Sequence, residues 1–249
     1  MFDNTPLQDL SEIATIWSMV RQAHGGPGSA VSEAQQGLME RYGGSVYRYL
    51  LGALRDRHAA DDLFQDFSLR FLRGDFRNAN PEKGRFRDFV KTALYHLIVD
   101  YQNRRRAGPR PLPEGDSQAD PSPPDLVYSE QEFLASWRNE ILSRTWESLA
   151  AASRTTGQTY YRVLRFRAEN PALSSAQMAE RLSEELGKAV KPEWVRQTLR
   201  RAREKFTELL LDDLARSLDN PSRERLTQEL IDLGLHSYCH EALEQRGCS

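Results

Sequence analysis

The sequence is poor in cysteine. Its two, Cys239 and Cys248, lie close together near the C-terminus and do not make a disulfide framework. No run approaches the roughly 18 apolar residues that a spanning helix needs. The first residues, Met1-Phe2-Asp3-Asn4, lack the basic start and apolar core of a signal peptide, so a cytoplasmic protein without a membrane partner is expected. There is no glycine-rich phosphate loop and no convincing nucleophile–base pair. His58, Asp61, Asp62 and Asp66 could be imagined as a metal-dependent nuclease cluster, but no matching His or carboxylate set recurs elsewhere. His236, Cys239, His240 and Cys248 lack the two-plus-two spacing of a zinc site and read as surface thiols and histidines. Neither an enzyme nor a bound metal or cofactor is expected.

A single dominant charge is also missing. The formal net charge of −2 argues against a uniformly basic nucleic-acid coat, yet it hides strong local asymmetry. Arg85–Arg110 carries seven Lys or Arg against two acids, and Lys188–Lys205 repeats that ratio. From Phe206 to Ser249 the sign reverses, with nine acids against four Arg. Two basic islands in a near-neutral chain are an electrostatic footprint for nucleic acid.

Periodicity then divides the chain. Residues 1–30 read as an N-terminal arm, with a helix expected over Leu7–Gln22 and broken at Gly25-Gly26-Pro27-Gly28-Ser29. Residues 31–106 read as a first helical domain. Leu38, Tyr42, Val46, Tyr49 and Leu50 recur at helical spacing, and Arg55-Asp56-Arg57-His58 reads as a polar turn. In the next helix Leu63, Phe64, Phe67, Phe71 and Leu72 form the core stripe; Asp62, Gln65, Asp66, Leu69 and Arg73 lie opposite. An apolar Leu69 inside a charged stripe points to a partner surface. The Gly74–Arg87 stretch is loop-like, and its Arg77, Lys83, Arg85 and Arg87 suit phosphates. In the following helix Phe86, Phe89, Ala93, Leu97 and Tyr101 form the expected buried stripe, with Lys91 and Tyr95 one turn apart on another face. Cations for phosphates and flat rings for unpaired bases suit single-stranded DNA.

Residues 107–128, rich in proline and without periodicity, read as a linker. Residues 129–218 read as a second helical domain. Its first helix shows Phe133, Trp137, Ile141, Leu142, Trp146 and Leu149 on one side. Another is expected over Gly157–Ala168, ended by Asn170-Pro171. Ser174 or Ser175 suits an N-cap, Gly187 a helix end and Pro192 a first helical turn. The helix from Pro192 turns Val195, Leu199, Ala202, Phe206, Leu209 and Leu210 inward and Arg196, Gln197, Arg200, Arg201 and Lys205 outward. Helix, glycine-bearing turn and a helix opening with Arg and Gln is helix-turn-helix order, and those side chains pair with guanine and adenine in the major groove. Residues 219–249 form an acidic C-terminal extension in which Leu226, Leu230, Ile231, Leu233 and Leu235 suggest one more helix. The expected fold is all-α, two helical domains joined by a proline-rich linker. These features alone also fit a stand-alone helix-turn-helix regulator of duplex DNA, which would have no use for the acidic face of the Asp61 helix.

Specific runs resemble a known family. Asp61-Asp62-Leu63-Phe64-Gln65-Asp66-Phe67, Gly84-Arg85-Phe86-Arg87-Asp88-Phe89 and Leu97-Ile98-Val99-Asp100-Tyr101 resemble region 2 of bacterial RNA polymerase sigma factors, especially the extracytoplasmic-function branch of the sigma-70 family. Gln177-Met178-Ala179-Glu180-Arg181-Leu182 and Val195–Lys205 are similar to region 4. The resemblance implies a sigma factor that binds core RNA polymerase and directs promoter recognition and opening. Asp62, Gln65, Asp66 and Leu69 would dock on the β′ clamp. Phe76, Arg77, Lys83, Arg85, Arg87, Lys91, Tyr95, Arg104 and Arg105 would hold the opened −10 element. Lys191, Arg196, Gln197, Arg200, Arg201 and Lys205 would read the −35 element, in a module that also touches the β flap. An anti-sigma protein is a further implied partner, with the terminal extensions as its alternative.

Overall fold

The computed structural model describes residues 20, 23, 28–73, 75, 85–107, 130–218 and 221–246. Among them the regular structure is helical, with no strand, in agreement with the expected all-α class. Helices α1 (Gly28–Leu54), α2 (Arg57–Arg73) and α3 (Phe86–Ala107) precede the proline-rich stretch. After it come α4 (Glu130–Thr156), α5 (Tyr160–Glu169), α6 (Ser175–Leu186), α7 (Pro192–Ser217), α8 (Arg223–Asp232) and α9 (His236–Arg246). The described residues fall into two compact units, Met1–Glu140 with Arg216–Pro221, and Ile141–Ala215 with Ser222–Ser249. The expected Leu7–Gln22 helix lies, apart from Val20, outside the described residues, as does the 107–128 linker apart from Ala107.

In the first unit α1, α2 and α3 pack on one another. The turn from α1 to α2 is tight because local chemistry closes it. Arg55 takes a positive φ of 50°, its N–H donates to Leu51 O at 2.9 Å, and Asp56 Oδ1 accepts from the N–H groups of His58 (3.0 Å) and Ala59 (3.3 Å). The expected polar turn thus shrinks to Arg55-Asp56, and Arg57 and His58 are already helical. Leu63, Phe67 and Phe71 of α2 are buried, but Leu72, expected beside them, is 51% exposed. On α3 the buried apolar residues are Phe86, Val90, Leu94, Leu97 and Ile98, so the core phase differs from the stripe expected through Phe89, Ala93 and Tyr101.

The start of α4 belongs to this unit. Trp137 stacks on Tyr42 with ring centroids 4.7 Å apart, Phe133 meets Tyr49 edge-on at 5.1 Å, and Phe86 lies 5.1 Å from Tyr42. Phe133, Trp137, Tyr42, Tyr49 and Phe86 are all buried. Beside this aromatic seam Ser136 Oγ donates to Ser45 O at 3.1 Å, and Glu140 pairs with Arg48. Gly44 permits the approach, since a Cβ there would stand 2.7 Å from Glu140 Oε2. Residues 130–140, expected in the second domain, therefore complete the core of the first unit.

The second unit is built around Leu149, Val163, Leu164, Met178, Ala179, Leu182, Val195, Leu199 and Ala202, drawn from α4 to α7. Trp146 closes over this core against Phe206, centroids 4.8 Å apart. Arg144 and Asp213 form a largely buried ion pair at 2.8 Å between α4 and α7. Arg167 Nη1 donates to the carbonyls of Pro171 (3.3 Å) and Leu173 (2.5 Å), which ties down the connection from α5 to α6.

The acidic extension folds as two helices, not the single one expected. Gly234, at φ 67°, ends α8: its N–H donates to Ile231 O at 3.0 Å and that of Leu235 to Leu230 O at 2.8 Å. Leu226, Leu230, Leu233, Leu235 and Leu243 are buried, whereas Ile231 is 51% exposed. Cys239, expected as a surface thiol, is fully buried, and burial pushes its thiol up to about 11. Cys248 lies outside the described residues.

Candidate functional site

Three surfaces carry the expected site residues. The first is a face of α2. Asp62, Gln65 and Leu69 are exposed there and Asp66 is half-exposed, at spacings that place them on one side of the helix. Asp66 is held by Arg70 through hydrogen bonds of 3.3 and 3.2 Å, an i,i+4 pair open to solvent and therefore easily exchanged. Asp61 instead accepts the Tyr47 hydroxyl at 2.7 Å, and this bond holds the Tyr47 phenol above its ordinary pKa. Leu72 extends the stripe. It sits three residues beyond Leu69, and both are more than two-fifths exposed, so two leucines follow two carboxylates along an open face. Sequence reasoning missed Leu72 because its position also fits the edge of the core stripe.

The second surface is α3. Tyr95 is 48% exposed and stands edge-on to His96 at 5.8 Å; Arg104 and Arg105 are exposed along the same helix. Lys91 is half-buried and its Nζ lies 2.7 Å from Glu130 Oε1. Arg85 is half-buried just before the helix, where its carbonyl accepts from the N–H groups of Asp88 and Phe89, both at 3.1 Å. Arg87 departs from expectation. It is 5% exposed, with its guanidinium 3.8 Å from Asp88 Oδ1. The cause is helical phase: position 87 lies on the same buried side as Leu94 and Ile98, so the residue faces the bundle. Phe76, Arg77 and Lys83 lie outside the described residues.

The third surface is the outer side of α7, and the turn before it is closely specified. Ser174 caps α6, its hydroxyl accepting the Gln177 N–H at 3.3 Å while Gln177 Oε1 accepts the Ser174 N–H at 2.9 Å. Gly187, at φ 63°, ends α6; its N–H donates to Glu184 O and that of Lys188 to Ser183 O. Ser183 Oγ donates to Ala179 O at 2.6 Å and accepts the Val190 N–H at 2.9 Å. Lys188 lies over the Trp194 ring at 5.7 Å, fastening the turn to the first turn of α7. The connection between helices is thus residues 187–191, and α7 starts at Pro192 as expected.

We expect Ser183→Ala to lower stability by about 1–2 kcal/mol, because it leaves the half-buried Val190 amide without its acceptor. Chemical denaturation checks this, and an unchanged midpoint would show that the turn does not depend on that hydroxyl.

Arg196, Gln197, Arg200, Arg201 and Lys191 are exposed on this side, with Lys205 half-exposed. Three of these cations carry an acid from their own helix: Arg196 pairs with Glu193, Arg200 with Glu204 at 3.7 Å and Lys205 with Glu208 at 3.0 Å. Exposed pairs of this spacing contribute only about 0.3–0.5 kcal/mol, so phosphates or base edges would displace them readily. Among the described residues no group of three or more His, Cys, Asp or Glu is placed to hold a metal ion, and no helix is long and apolar enough to cross a membrane.

Residues 38–108, spanning most of α1 through the end of α3, match the family model Sigma-70 region 2. No curated protein and no solved structure matches the chain. The matched residues include both the acidic–leucine face of α2 and the exposed aromatic and basic side chains of α3. Residues 38–108 therefore carry a sigma-70 region 2 domain, a module of transcription initiation factors.

Proposed function

We propose that this chain is a sigma factor of the extracytoplasmic-function type. It binds core RNA polymerase through the outer face of α2 and captures the opened −10 strand on α3. It reads the −35 duplex with the first turns of α7. The observation that carries this reading is the pairing of two unlike sets of exposed side chains on one region 2 bundle. Asp62, Gln65, Asp66, Leu69 and Leu72 line α2, polar groups beside exposed apolar side chains, a mixture that suits a protein partner. Tyr95, Arg104 and Arg105 line α3, rings and cations that suit single-stranded DNA. The polymerase contact proposed for α2 is the β′ clamp. The α6–turn–α7 arrangement supports the duplex role, since its capped helix, left-handed glycine and exposed Arg/Gln side chains are the parts a recognition helix needs. Contact of that module with the β flap, control by an anti-sigma protein and action in the cytoplasm belong to the same proposal. Arg87 is left out of the DNA face and assigned to the packing of α3.

Affinity capture with bacterial core RNA polymerase tests the reading. The full chain is expected to retain the β and β′ subunits. A folded chain that binds duplex DNA but captures no polymerase would make it a stand-alone helix-turn-helix regulator.

A further inference from the structure

The only ion pair of Lys91 among the described residues is with Glu130, across 39 residues of sequence. Glu130 is the first residue of α4, and the two turns that follow it are anchored on the region 2 bundle by Phe133, Ser136 and Trp137. The anchoring matters more than the pair itself. Lys91 is 34% exposed and Glu130 69%, so as an isolated contact it would be weak. Docking of α4 presents the carboxylate at high effective concentration, in a place a freely diffusing anion would have to compete for.

We propose that the first turn of α4 is an internal competitor for the DNA surface of α3, with the Glu130 carboxylate standing on Lys91 where a phosphate of single-stranded DNA would otherwise sit. This rests on reading Lys91 as a DNA contact. The chemistry is matched: a carboxylate and a phosphate oxygen both accept from an ammonium, and only one can occupy its near side. Because the pair is exposed it acts as a threshold and not a lock. A strand that also stacks on Tyr95, one turn from Lys91, displaces it.

The test is fluorescence anisotropy of a labelled mixed-sequence single-stranded DNA with the full chain at low ionic strength. Glu130→Gln is expected to tighten binding about two- to fivefold, and Lys91→Ala to weaken it. In the Lys91→Ala background the Glu130 substitution should have no effect. Glu147→Gln, the same charge change further along α4, should leave the wild-type value unchanged. A wild-type affinity that Glu130→Gln does not alter, or a gain that persists without Lys91, overturns the competitor while keeping Lys91 on the DNA. Equal binding by wild type and Lys91→Ala overturns both, as does binding too weak to detect in wild type and Glu130→Gln alike.

Discussion

Trp137→Ala should destabilise the first unit by about 3–5 kcal/mol, the range expected for truncating a buried tryptophan. The side chain is 2% exposed, stacks on Tyr42 at 4.7 Å and lies 5.7 Å from Phe133. Its removal opens a cavity where α1, α3 and α4 supply aromatic walls, and the rings of Tyr42, Phe86 and Phe133 cannot all collapse into it. Set against a typical domain stability of about 5–15 kcal/mol, the loss is large. Hydrogen exchange gives a localised readout: protection should fall across α1, α2, α3 and residues 130–140, and hold in α5, α6 and the start of α7. The family match stops at residue 108, yet the core it encloses is completed by residues beyond the linker. Protection unchanged in α1 to α3 would show that the bundle is self-sufficient without that ring.

Asp62→Arg with Asp66→Arg should reduce affinity for core RNA polymerase by about 100-fold or more, roughly 3 kcal/mol. Under the proposed function these carboxylates face cations on the partner, so reversal removes two attractions and installs two repulsions. The fold should survive. Asp62 is exposed, and Asp66 gives up only its exposed pair with Arg70, a loss of a few tenths of a kcal/mol. Thermal melting that matches wild type, together with lost polymerase capture, places the interface on this face of α2. Retained capture would move the contact elsewhere without disturbing the region 2 assignment.

What was legible in the sequence was mostly local. Ser174, Gly187 and Pro192 announce helix ends through their own chemistry, a hydroxyl acceptor, tolerance of positive φ and a fixed φ without an N–H, and the structure uses each in that way. The core stripe on α2 was readable because Leu63, Phe67 and Phe71 admit one phase. On α3 two phases compete. Phe89 and Tyr101 draw the eye to one, but Val90 and Leu94 turn inward, and Arg87 is carried in with them. Packing, not composition, chose between them. The Lys91–Glu130 pair and the Tyr42–Trp137 stack were illegible because their partners lie on opposite sides of a segment without periodicity. Burial of Cys239 was hidden for a related reason: a thiol beside two histidines reads as polar until tertiary contacts cover it.

The measurement that bears most directly on the sigma-factor reading is transcript start mapping with core RNA polymerase, with and without the full chain, on sheared genomic DNA. A set of starts that depends on the chain and shares one element near −10 and a second near −35 is the result expected. Starts that are the same in number and sequence context whether or not the chain is present would contradict it.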